Sequence, residues 1–470
     1  MKLSMGEVAA RLGASSQTPD RPVEGYSIDS RTLTPGSLFF AIRGPRFDGH
    51  EFVDRALDRG AAGAVVERAY REGASPETAA RLVAVSDTVT ALQDLAQSVR
   101  RTWGRAVVGI TGSTGKTTTK ELIAALLAPK YSVHKSLGNL NNQYGVPLTL
   151  LGLEPGHEVA VVEMAMSAPG EIARLAEIVE PETGVVTNAA PVHLEFFDSV
   201  DAIARAKREL IEHLKSPATA VLNHDDPRVR RFANGFQGRV VTFGLGEGAD
   251  FRAFDLGVSN HGGIGVGMRF RVAARAWEAE FQMVLPGRHN VENALAAIAT
   301  ASIFEVPVDA LVQALGDFKP LGQRSEVLTL PGPVMVLNDS YNSNPCALER
   351  MLETLAGWPR AKRRIVVAGE MLELGPTSPE LHRQAGQKCA QAGVGWLIAV
   401  QGDARFILEG AVQAGLPTAR TRFFPDAEQA GKFCRSLVEP GDVVLVKGSR
   451  GVHLEKVIET LQSLPVRLFS

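Results

Sequence analysis

From Ala106 onward, short apolar runs alternate with stretches of helical pattern. "AVVGI", "VAVVEM", "TGVVTN" and "TAVLN" are apolar at consecutive positions, so both faces of each strand seek burial. Such runs predict a parallel sheet covered by helices on both sides. The pattern closes near "LVQALGDFKPLGQR", and a second set, "VMVLND", "RIVVAG", "WLIAV" and "VVLVK", begins beyond Gly322. Before Ala106 the chain is mixed. "SLFFAI" and "AAGAVVE" predict strands, "GHEFVDRALDRG" a helix closed by glycine, and "TALQDLAQSVRRTWG" a helix leading into the next unit. The reading is an α/β chain of three domains: a small mixed one over 1–104, a central one over 105–320 and a Rossmann-like doubly wound one over 321–470.

Length agrees, since 470 residues exceed what one hydrophobic core supports. A hydrophobic share of 45% with 22% charged residues is that of a soluble globular protein. The net charge of −2 gives no electrostatic reason to expect nucleic acid or an anionic membrane as partner. Cys346, Cys389 and Cys434 lie far apart and form no CxxC pair, which fits a reduced compartment. The N-terminus lacks an apolar signal core, and no run reaches the roughly 18 apolar residues of a membrane span. The expectation is a cytoplasmic protein with no membrane insertion.

The first chemistry lies where strand meets helix. Between "AVVGI" and "TTTKELIAALL" stands Gly112-Ser113-Thr114-Gly115-Lys116-Thr117, preceded by Thr111 and followed by Thr118. A glycine-rich turn entering a helix offers backbone N–H groups to phosphate oxygens. Lys116 is expected to reach the β/γ-phosphates and the Thr117 hydroxyl a Mg²⁺ ion, which makes the central domain P-loop ATPase-like. Ile110 stands where the longer GxxxxGK[ST] pattern has its first glycine, so the match is the shortened GxxGKT form.

The helix "DAIARAKRELIEHL" holds a second clue. At about 100° per residue, Ile203, Leu210, Ile211 and Leu214 share a face, with Lys207 in its middle. Either Lys207 snorkels past its apolar neighbours to water, or it faces a cleft. Glu163 closes "VAVVE" and His193 follows "TGVVTNAA". Ligands of open α/β sheets bind beyond the carboxyl ends of strands, although a loop acid and a surface imidazole fit those places too.

Together these segments resemble the Mur ligase family over nearly the whole chain. "TGSTGKTTTK", "VVEMAMSAPGEI", "NAAPVHLEFF", "AKREL", "PGRHNVENALAA" and "LNDSYNSNP" carry the resemblance, and "SIDSRTLTPGSLFFAIRGPRFDGHEF" resembles the family's first domain. "DSYNSNP" looks most like the MurF type, which adds D-alanyl-D-alanine to a UDP-N-acetylmuramoyl-tripeptide. The Asp-Asn-Pro-Arg motif of the diamino-acid-adding type does not occur.

The resemblance implies amide-bond formation through an acyl phosphate, with ATP and Mg²⁺ as cofactors. It implies Lys116, Glu163, His193 and Lys207 as catalytic groups, and Thr117, Glu163, His193 and Lys207 around metal. Lys207 would carry a CO₂-derived carbamate (N-carboxylysine), which turns a buried cation into an anion. His289, Asn290 and Asn293 would lie near adenine, or merely cap a helix. Arg324 would approach the phosphates, Asp339 the ribose, and Tyr341 and Asn342 the adenine. Ser30 and Arg31 are candidates for the uridine-diphosphate end or for a structural role, and Asn139, Asn141 and Asn142 for substrate or for a turn. Lys447 and Arg450 of "KGSR" would bind anionic substrate or simply open a helix. Parts drawn from three domains imply hinge closure of a monomer. The rival readings are a diamino-acid-adding Mur ligase, a folylpolyglutamate synthase-like ligase, a P-loop switch that hydrolyses nucleotide without an acceptor, and a catalytically dead nucleotide-binding module, against which the intact set Lys116, Thr117, Glu163, His193 and Lys207 speaks.

Overall fold

The computed structural model describes residues 1–14, 20–44, 47–192, 194–260 and 266–463. Four parallel strands, Gly25–Ser27, Ser37–Phe40, Gly63–Glu67 and Leu82–Val85, form the first sheet in that order. The segment 49–60, expected as one helix, is a 3-10 turn over Gly49–Phe52 followed by a short α-helix, Val53–Asp58.

The middle sheet has nine strands. Six parallel ones run in the order Val133–Lys135, Val159–Glu163, Ala106–Thr111, Thr183–Val186, Thr219–Asn223 and Arg239–Gly244. Alternate residues of one strand enter opposite cores. Val107 joins the cluster with Leu210, and Val108 and Ile110 join the cluster with Leu122 and Val291. This is why the strands read apolar at every position. The sheet then continues through Phe251–Asn260, Val266–Ala274 and Trp277–Met283, the last two pairings antiparallel. The purely parallel expectation missed this extension. Its alternation was visible: in Val266–Ala274, Phe270 and Val272 are buried while Arg269 and Arg271 face out.

The third sheet contains the four expected strands plus an edge strand on each side, Glu326–Leu330 and Thr421–Phe424. Edge strands are short and half-exposed, so their apolar signal is weak.

The helix Thr88–Trp103 was assigned by sequence to the first domain. Its buried face (Leu92, Leu95, Ala96, Val99) belongs to a core cluster that also holds Leu3, Val65, Val146 and Leu210. Arg100 fastens it further, donating to Val179 O at 2.8 Å and pairing with Glu182 at 2.8 Å. The first and middle units therefore share one core.

Candidate active site

Chain geometry demands both glycines of the phosphate loop. Gly115 has φ +80°, and a Cβ there would stand 2.3 Å from Asn293 Oδ1. A Cβ on Gly112 would stand 1.8 Å from Thr187 Oγ1. The loop is clamped by the end of the strand Thr183–Val186. Ser113 N donates to Asn188 O at 2.9 Å, Thr114 N to Asn188 Oδ1 at 3.0 Å, and Thr187 Oγ1 to Thr114 O at 2.7 Å. Sequence reasoning missed Thr187 and Asn188. The signal was a polar pair closing an apolar strand beside the loop's own strand. The N-cap of the helix Lys116–Leu127 is Gly115, which has no side chain to cap it, so its first N–H groups are available to an anion.

Lys116 folds back over this loop, donating to Gly112 O at 2.8 Å. Burial holds its ammonium below the usual lysine range, Glu163 opposes that shift, and Arg324 adds to it. Glu163 is 1% exposed. Its Oε1 accepts from Asn141 Nδ2 at 2.8 Å and its N–H donates to Ser136 Oγ at 3.1 Å. Among the described residues Oε2 has no hydrogen-bond donor, and Lys120 Nζ lies 3.9 Å away. A buried carboxylate oxygen left open beside the buried Thr117 and a phosphate loop fits a hard divalent cation. Among the described residues, no cluster of three or more His, Cys, Asp or Glu side chains forms a ready-made metal cage. His193 lies outside the described residues.

Lys207 sits on the helix Val200–Glu212, started by Ser199, whose hydroxyl accepts from Ala202 N at 3.1 Å. It is 2% exposed, and Ile203, Leu210 and Ile211 are buried with it, so its ammonium does not snorkel out to water. Burial, then the charge of Lys116, hold its amine well below the usual lysine range.

Asn290 and Asn293 are buried and tied inward. Asn290 Nδ2 donates to Pro286 O at 2.8 Å, Asn293 Nδ2 to Asn290 Oδ1 at 3.1 Å, and Thr119 Oγ1 to Asn293 Oδ1 at 3.3 Å. They bind their helix, Arg288–Ile303, to the phosphate-loop helix. His289 beside them is pushed down to about 4, by burial first and the charge of Arg350 second.

The third domain supplies the opposite wall. The Arg324 guanidinium stacks 4.0 Å above the Tyr341 ring and that of Arg450 lies 5.1 Å from it. Gln323 (φ +66°) and Ser325 (φ +50°) hold the linker around Arg324 in the left-handed region. Asp339 accepts from Ser325 N at 2.8 Å and pairs with Lys447. Lys447 is buried and also donates to Asn342 O at 2.8 Å, so its ammonium already has two internal partners. Arg350, on the helix Pro345–Ala356, donates to Thr114 Oγ1 at 3.3 Å and lies 3.7 Å from Glu292. It was not foreseen from sequence, because nothing local distinguishes it from a surface arginine.

One cavity of about 450 Å³ gathers Ser113 to Thr118, Asn139, Asn141, Glu163, His289, Asn290, Asn293, Arg324, Asp339, Tyr341, Asn342, Lys447 and Arg450. Arg350, Leu372, Glu373 and Leu374 complete its wall. Thr111, Gly112 and Lys207 are not among its lining residues. Asn142 is turned to the backbone, accepting from Gly145 N at 3.0 Å. Ser30 is buried and Arg31 is 75% exposed and forked onto Asp29 at 2.8 Å, both apart from this cavity.

A phosphate loop, an open acid at a strand end and a second nucleotide-sized wall from a Rossmann-like domain define a nucleotide-binding α/β enzyme of three units. Residues 110–301 match the Mur ligase middle domain, 323–450 the "Mur ligase, glutamate ligase domain", and 22–100 the "Mur ligase family, catalytic domain". The chain belongs to the Mur ligase family. It is 37% identical to the UDP-N-acetylmuramoyl-tripeptide–D-alanyl-D-alanine ligase of Synechocystis sp., over 96% of this chain and 94% of that one. The crystal structure of MurF from Acinetobacter baumannii superposes with a TM-score of 0.87 at 27% identity, covering 99% of both chains. MurF ligase from Thermotoga maritima, solved in complex with ADP, gives 0.80 at 31% identity over 93% of this chain and 97% of that one. No helix among the described residues is long and apolar enough to cross a membrane.

Proposed function

We propose that this chain is an ATP-dependent ligase that joins D-alanyl-D-alanine to the carboxyl group of a UDP-N-acetylmuramoyl-tripeptide, a cytoplasmic step of peptidoglycan precursor synthesis. The observation that carries the reading is similarity to relatives of that name across the whole chain, with all three units included.

A carboxylate is a poor electrophile, and phosphorylation gives it a leaving group. The peptide carboxylate attacks the γ-phosphorus of ATP and ADP departs. The amine of the dipeptide then attacks the acyl phosphate and expels phosphate, and the amine's proton is lost as the amide forms. Phosphoryl transfer depends on positioning and charge stabilisation. Lys116 swings from the Gly112 carbonyl to the phosphates. Thr117 and Glu163 would hold a magnesium ion, which would supply neutralisation of phosphate charge. The depressed Lys207 amine suits carbamate formation, because only a neutral amine adds CO₂; the carbamate, with His193, would serve a second ion.

In this reading the first domain, 1–104, takes the uridine-diphosphate end, with Ser30 and Arg31 as candidate contacts. The domain over 105–320 takes the phosphates. The third, 321–470, takes adenosine through Asp339, Tyr341 and Asn342 with His289, Asn290 and Asn293 opposite. It takes the dipeptide near Arg450, Lys447 and Asn139. The protein acts as a monomer.

The test is phosphate release with UDP-muramoyl-tripeptide, with and without D-alanyl-D-alanine. Release should require the dipeptide; equal release without it would point to a nucleotide switch, and preference for a free diamino acid to the other ligase type. Lys207→Ala should lose at least about 100-fold in rate and regain part with short carboxylates. Full activity without rescue would remove the carbamate from the mechanism.

A further inference from the structure

The phosphate-loop helix carries a second lysine that the proposed chemistry does not use. Lys120 is 0% exposed. Its ammonium donates to Ser136 O at 2.7 Å and Gly138 O at 3.4 Å, and lies 3.0 Å from Glu121 Oε1. Two of its three protons go to these carbonyls, and the Glu121 carboxylate offsets its charge. Glu163 Oε2, at 3.9 Å, is near the charge and receives no hydrogen bond from the described residues.

The carbonyls that Lys120 grips belong to the segment that orients Glu163. Ser136 Oγ accepts from Glu163 N, and Asn141, a few residues on, donates to Glu163 Oε1. Asn141 is itself fixed by Ala165 N, which donates to its carbonyl at 2.8 Å. One buried ammonium thus ties the helix that receives phosphate to the segment that aims the acid. The competing role is simple cross-linking, since Glu121 also pairs with Lys135 on the neighbouring strand. Cross-linking alone does not explain why two backbone carbonyls beside Glu163 are drawn onto the same ammonium.

We propose that Lys120 is a positioning residue that holds the segment 136–141 so that Glu163 keeps one carboxylate oxygen open to the cation accompanying the nucleotide. This rests on the assignment of Glu163 to magnesium, and the experiment separates the two. ADP binding to the full chain is measured by calorimetry in Mg²⁺ and in EDTA. The wild type should bind more tightly in Mg²⁺, and Glu163→Gln should abolish that enhancement; an enhancement that survives Glu163→Gln overturns the magnesium assignment itself.

Lys120→Met should lose about tenfold or more of the enhancement, the usual cost of losing a group that orients a metal ligand. Its affinity in EDTA should stay within about twofold of wild type. The same loss should be absent when Lys120→Met is added to Glu163→Gln. Equal weakening in Mg²⁺ and EDTA, or an intact enhancement, overturns the proposal. Lys120→Gln, which fills the same buried space without the charge, keeps the test decisive if Lys120→Met fails to fold. It should show the same magnesium-specific loss, and an unchanged enhancement there also overturns the proposal.

Discussion

A histidine held near 4 beside a nucleotide cavity is neutral throughout the physiological range. Burial disfavours the His289 cation, and Arg350 adds repulsion. The unfolded chain, with an ordinary value of 6.5, takes up the proton first as pH falls. Stability is therefore complete above about 6.5 and declines as pH drops toward 4, by up to about 3 kcal/mol for this one group. Chemical denaturation at pH 5 and pH 7 should show a smaller pH difference in His289→Gln than in the wild type; an equal difference would contradict the burial argument. At this scale the sequence was informative where chemistry and pattern collide. Lys207 stood out because a cation interrupted an apolar stripe. Thr187, Asn188 and Arg350 did not, because their roles depend on partners far along the chain: Asn188 on Ser113 and Thr114, Arg350 on Thr114 and Glu292.

The loop works as an element because a neighbouring strand end holds it from the side. Replacing Gly112 by alanine would drive a methyl into the Thr187 hydroxyl and push the loop off Asn188. Gly112→Ala should weaken nucleotide binding by at least about tenfold while lowering stability by about 1–3 kcal/mol, measured by calorimetry and thermal melting. Elements buried on both faces were legible: the strands beginning at Ala106, Val159, Thr183 and Thr219 fall within a residue or two of their expected places. The hairpin strands 251–283 were not read, because half of each faces water and the pattern expected was a continuous apolar run.

Across the whole molecule, the cavity is complete only when the second and third domains meet. Arg350 spans that seam, and Gly375 lies against the backbone of Glu195, where an added Cβ would stand 3.3 Å from its Cα. We propose that the pair opens without nucleotide and closes with it. Arg350→Ala should weaken closure by about 1.5–3 kcal/mol, the worth of one hydrogen bond made by a charged group. Small-angle scattering should then show a larger radius of gyration than the wild type at subsaturating ADP. Identical compactness in both proteins, with and without ADP, would remove the hinge from the account.

The helix Thr88–Trp103 has a different consequence. Its apolar side is continuous with both the first sheet and the middle one, so neither can melt without exposing Leu92, Leu95 and Val99. Three modules by topology become two by cooperativity. The first and middle should therefore unfold together through this shared cluster, and the third, with its own pair of cores, is the separable partner. A fragment cut at residue 104 would carry an orphaned greasy helix, whereas the natural seam for dissection lies near Gly322.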